Sequence, residues 1–173
     1  MSYLNITTSF AEIKGGSIGI AKKEKADCMV RALAAAAETT YNISHKFCAD
    51  VFGRKSNTGT DGVNIHLQMM EAEENGLTIN GLDYNVKVMT KSDTHNRYKL
   101  KGDIIWRKKT LKSFVESHQK GSYIVLVANH ALTIKDGELV DWNTMKFKPT
   151  RKVLNAYKIE KVSKAGKQLN LFE

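Results

Sequence analysis

The chain has 173 residues, 42% of them hydrophobic and 26% charged, a balance that fits a folded globular protein and excludes wholesale disorder. Lys and Arg number 27 against 18 Asp and Glu, so the formal charge is +9 and acidic or polyanionic partners are favoured. No run approaches the ~20 apolar residues that span a bilayer, and the start lacks a basic segment followed by an apolar one, so a cytosolic protein is expected.

The first strong element follows Asp27. Met29, Leu33 and Ala36, with Ala32 and Ala37, have helical spacing behind an N-cap residue, which puts Cys28 in the first turn of a helix ending near Thr39. A second helix begins at Asn42 or Ser44, carries Phe47, Cys48, Val51 and Phe52 on one face, and stops at Gly53. Cys48 therefore reads as a core residue. Residues 53–62, GRKSNTGTDG, form a loop, and Val63, Leu67 and Met70 at i, i+4 and i+7 indicate a third helix that ends at Gly76. Tyr84, Val86 and Val88 alternate as a strand.

After Thr110, an N-cap, a short helix holds Leu111, Phe114 and Val115 and ends by Gly121. The rest reads as sheet. Residues 122–128 and 131–135 are strands, Asp136-Gly137 is a two-residue hairpin turn into 138–141, and 153–159 is the last strand. Helices first and antiparallel strands afterwards give an α+β chain with the helices on one side of the sheet. One domain over residues 1–160 and a tail over 161–173 is the simplest division, since Pro149 and the 12 glycines gather into no linker.

Cys28 and Cys48 are too few for a disulfide framework, and no Cys or His shares zinc-ligand spacing with another, so neither metal nor cofactor is expected. Cys28 sits where unpaired N–H groups and the helix dipole stabilise negative charge, a place for a nucleophilic thiolate. His130 opens a strand and Asp141 ends the strand that returns across Asp136-Gly137, so the carboxylate is placed to orient the imidazole. Taken singly, each residue reads as ordinary structure. Together they supply a nucleophile, a base and an orienting acid, with Asn143 as the substitute for the third.

The stretches Asp27-Cys28-Met29-Val30-Arg31-Ala32-Leu33-Ala34, Tyr41, Gly53-Arg54-Lys55 to Gly59-Thr60, Gly121 to Val125, Asn129-His130-Ala131 and Asp136 to Trp142 resemble the papain-like cysteine-peptidase-fold proteins of tailed bacteriophages. The resemblance covers residues 25–160. It implies a papain-like fold with N-terminal helices packed on an antiparallel sheet, Cys28 as nucleophile, His130 as general base, Asp141 as orienting residue, a protein or peptide substrate, and action in the host cytoplasm. One departure stands out. Enzymes of that type place an amide side chain shortly before the nucleophile to stabilise the oxyanion, and here Lys22, Lys23 and Lys25 stand instead. Loss of such a donor costs ~100-fold or more in rate. The alternative is thus a catalytically inactive papain-fold interaction protein that binds the host sliding clamp or nucleic acid.

Residues 161–167 read as a polar tether, and Gln168-Leu169-Asn170-Leu171-Phe172 resembles the pentapeptide by which bacterial proteins dock on the DNA sliding clamp. Gln168 would hydrogen-bond at the edge of an apolar groove that takes Leu169, Leu171 and Phe172. Lys99, Lys101, Arg107, Lys108, Lys109 and Lys112 cluster around Tyr98 and Trp106, a mixture of charge and stacking surface that suits weak nucleic-acid binding.

Overall fold

A computed structural model describes residues 13–141 and 148–163. Its first half is helical: α1 (Ile20–Lys23), α2 (Cys28–Ala36), α3 (Tyr41–Asp50) and α4 (Gly62–Asn75). Thr40 caps α3 by accepting from the Ile43 N–H, and Asp61 caps α4 by accepting from the Val63 N–H. The strands β1 (Leu77–Ile79) and β2 (Leu82–Val88) follow, then α5 (Lys91–Thr94), β3 (His95–Leu100), β4 (Asp103–Lys108) and α6 (Leu111–Ser117). The last elements are β5 (Ser122–Val127), β6 (His130–Lys135), β7 (Glu138–Val140) and β8 (Asn155–Lys161). This is an α+β arrangement.

Six strands form one antiparallel sheet in the order β1-β2-β8-β5-β6-β7, with β8 returning to the centre between β2 and β5. Alternation along β5 and β6 divides the core between two faces. Ile124, Leu126 and Ala131 join α2, α3 and α4, while Tyr123, Val125, Val127, Leu132 and Ile134 pack with Leu111, Phe114 and Val115 of α6. The expectation of helices on one side only is corrected by α6, whose apolar triplet covers the opposite face. Helix α2 lies against the sheet through side-chain bonds to its carbonyls: Thr133 Oγ1 donates to Ala32 O at 2.6 Å and Ser122 Oγ to Ala36 O at 3.0 Å. Its own alanines permit that close approach.

Helix α4 forms as its spacing indicates and buries a second apolar stripe. Ile65, Met69 and Ala72 form its buried stripe, whereas Val63, Leu67 and Met70 are 64%, 56% and 49% exposed. Both stripes have i, i+4, i+7 spacing, and the sheet takes the one carrying the small Ala72.

Residues 95–108, read from sequence only as a basic cluster, form the hairpin β3–β4, a separate two-stranded sheet. Its turn is Lys101-Gly102 with φ of 49° and 93°, the two positive values that a type I′ turn requires. Asn80-Gly81 and Asp136-Gly137 make turns of the same kind.

Candidate active site

Asp27 stands at the N-cap position of α2, yet its carboxylate makes no cap hydrogen bond. It accepts instead from the Tyr41 hydroxyl at 2.8 Å and from Arg31 Nε at 2.9 Å, and Arg31 also donates to Gly16 O. The guanidinium lies 5.1 Å from the Tyr41 ring centre. The first turn of α2 is thereby fixed in place while its leading N–H groups keep no side-chain cap, and the half-buried Cys28 is the first residue of that turn.

The β5–β6 turn is Ala128-Asn129, with Asn129 at φ 57°, a region asparagine tolerates, and it delivers His130 as the first residue of β6. Asp141 follows β7 at once and is buried. His130 Nε2 meets Asp141 Oδ2 at 2.7 Å, and the Cys28 thiol lies close enough to the same imidazole to favour its charged form. With Nε2 engaged by the carboxylate, Nδ1 is the nitrogen left for sulfur. Burial disfavours the charged ring, but the hydrogen bonds and charges of Asp141 and Cys28 outweigh burial and raise the His130 pKa to about 9. The three residues thus meet at one point. Asn143, Gln168, Leu169, Leu171 and Phe172 lie outside the described residues.

These groups open into a cleft of about 950 Å³. One wall is the loop before α4 with Gly59 and Thr60; Val63 and Leu67 of α4 join it, and Leu154 and Asn155 stand elsewhere on the lining. The exposed apolar stripe of α4 therefore has a place in the molecule: part of it faces the cleft. Lys22, Lys23 and Lys25 are not among the residues that line the cleft. The side-chain amides that do line it belong to Asn129 and Asn155, and Cys28 lines it too.

Sequence reasoning missed the group that holds this wall. Glu24, with a side chain 4% exposed, accepts from Arg54 Nη2 at 2.8 Å, from the Asn57 N–H at 2.7 Å and from Ser56 Oγ at 2.9 Å, and meets His45 Nε2 at 3.1 Å. Arg54, its side chain fully enclosed, also donates to Lys25 O. Burial raises the Glu24 pKa, but the bonds from Arg54, Asn57, His45 and Ser56 more than reverse that and hold it at about 2. The loop of residues 53–60 is thus tied to the segment that leads into Cys28. The signal available in sequence was an acidic residue among three lysines followed by an Arg in a polar loop, which specifies no pairing.

Cys48, on α3, is fully buried, and burial pushes its thiol up to about 12. Among the described residues no group of three or more His, Cys, Asp or Glu is arranged to hold a metal ion, and no helix is long and apolar enough to cross a membrane. Compared with known proteins, the chain matches no family model, no curated protein and no solved structure at a significant level.

Proposed function

We propose that the chain is a papain-like cysteine hydrolase that cleaves an amide or thioester of a protein or peptide in a host cytoplasm. The observation that carries the reading is the convergence of Cys28 at an uncapped helix start, His130 beside its thiol, and the buried Asp141 hydrogen-bonded to His130 Nε2.

Cys28 Sγ attacks the carbonyl carbon as thiolate, forming the C–S bond and moving the carbonyl electron pair onto oxygen. The Cys28 N–H, freed from capping, is a donor for that oxyanion. As the tetrahedral intermediate collapses, His130 passes its proton to the leaving amine nitrogen or thiolate sulfur, and the bond to the leaving group breaks. His130 then takes a proton from water, whose oxygen attacks the acyl carbon. The C–S bond breaks, the acid is released, and the Cys28 thiolate is restored beside a protonated imidazole. Asp141 keeps the ring oriented and stabilises its charge throughout.

The test is mass spectrometry of the protein treated with a peptidyl p-nitrophenyl ester. The expected result is a transient acyl adduct on Cys28 that turns over, and that accumulates or never forms in His130→Ala. No adduct beyond that of Cys28→Ala contradicts catalysis and leaves the inactive interaction protein as the reading. Docking on the sliding clamp rests on the pattern Gln168-Leu169-Asn170-Leu171-Phe172. Deleting residues 168–173 is expected to abolish clamp binding, and unchanged binding contradicts that role.

A further inference from the structure

The β3–β4 hairpin contributes no residue to the lining of the cleft. It is anchored at its base, where the Lys109 N–H donates to Thr94 O at 2.8 Å and Asn96 Nδ2 to Ser113 Oγ at 3.3 Å, next to a capping box between Thr90 and Asp93. Beyond the base it takes no part in either core cluster, and Tyr98, Leu100, Ile104 and Trp106 are 48%, 52%, 52% and 37% exposed. A two-stranded sheet without a covering layer is marginal alone, so the anchoring is what presents it as a fixed arm.

Antiparallel pairing sorts the arm into two faces. The pairs His95–Lys108, Arg97–Trp106 and Lys99–Ile104 share one of them, while Asp103 pairs with Leu100 on the other. The first face holds three fixed cations, an indole and an isoleucine, with no carboxylate among its paired positions. Lys91 adds a fourth cation, its ammonium 5.5 Å from the centre of the Trp106 ring. Among the described residues, Arg97, Lys99, Lys108 and Lys91 form no ion pair. Cations left without carboxylates around an exposed ring match a ligand that alternates negative charge with flat apolar surface. A polymer of acidic residues alone supplies the charge but not the flat surface.

We infer that the Trp106 face of the β3–β4 hairpin binds single-stranded nucleic acid, with a base stacked on Trp106 and backbone phosphates paired with Arg97, Lys99, Lys108 and Lys91. Arg97 and Lys99 are two residues apart on one strand, about 7 Å along it, so both point to the same side as an extended backbone runs past. The base takes the ring face that Lys91 now covers, and the displaced ammonium turns to a phosphate. Stacking on an aromatic side chain tolerates every base, so binding is expected to be independent of sequence. This inference does not depend on hydrolysis at Cys28.

The experiment is fluorescence anisotropy of a labelled 20-nucleotide oligothymidine with the whole chain between 50 and 200 mM salt. Four phosphate contacts give a slope of log affinity on log salt of about −3, or about 50-fold weaker binding across that range. Trp106→Ala is expected to weaken binding at least about fivefold, with Trp106→Tyr restoring most of it. The double variant Arg97→Glu, Lys99→Glu is expected to flatten the slope by about half. Unchanged alkylation of Cys28 in each variant shows that the fold is intact. Absence of binding, a flat salt response, or equal competition by polyglutamate together with no effect of Trp106→Ala overturns the inference, the last outcome assigning the surface to acidic proteins instead.

Discussion

Around the cleft, Arg54 and Glu24, Asp27 and Tyr41, and His130 and Asp141 pair at 2.7 to 2.8 Å in surroundings that exclude most water. On the hairpin, Arg97, Lys99 and Lys108 stand in solvent with no carboxylate partner among the described residues. The same residue types thus serve opposite ends. Desolvated charges fix geometry because breaking one partner leaves the other stranded, whereas solvated charges hold little structure and remain available to a ligand. Substitutions are therefore expected to be costly to fold or chemistry at the cleft and nearly silent for stability on the arm.

The sharpest separation is in turnover. Removing Cys28 or His130 is expected to lower turnover of an activated peptide ester by about 10⁴-fold or more, since members of such a unit fail together. Arg97→Glu on the arm is expected to leave turnover unchanged, and a comparable loss there would erase the distinction.

Next in size is the buried ion pair. Arg54→Met strands the Glu24 carboxylate and is expected to destabilise the protein by about 3–5 kcal/mol in urea unfolding, with Arg97→Glu within about 0.5 kcal/mol of the parent. Because the folded pKa of Glu24 lies at about 2, below its ordinary value of 4.5, its contribution is present above pH 4.5 and disappears as pH falls through 2.

The histidine gives the mirror image. Its folded pKa of about 9 exceeds the ordinary 6.5, so its contribution is complete below pH 6.5 and is lost as pH rises through 9. Unfolding free energies of the parent and His130→Gln from denaturant titration are expected to differ most at pH 6, on the order of 2 kcal/mol, and to converge by pH 10. A constant difference across that range would mean that the imidazole is not charged in the folded protein.

Much of this was legible in the chain itself, and the exceptions have physical causes. The helix behind Cys28, the Asp136-Gly137 turn and the strand that opens at His130 are local patterns, each set by spacing or turn chemistry within a few residues. The α4 face was not legible, because Val63, Leu67, Met70 and Ile65, Met69, Ala72 repeat alike and only the sheet distinguishes them. The Lys101-Gly102 turn was hidden because lysine is an unusual residue at positive φ, whereas Asn80-Gly81 carried an ordinary hairpin signal that flanks a strand of only three residues. The Glu24–Arg54 pair spans 30 positions and has no periodic signature.

The most direct test of the central claim is the rate of Cys28 alkylation by iodoacetamide as a function of pH in the Cys48→Ala protein. A thiol paired with the His130 imidazolium is predicted to react rapidly already at pH 6, and to lose at least tenfold of that rate in His130→Ala. A rate that climbs only toward the ordinary thiol range near pH ~8.5, and is the same with and without His130, would contradict it.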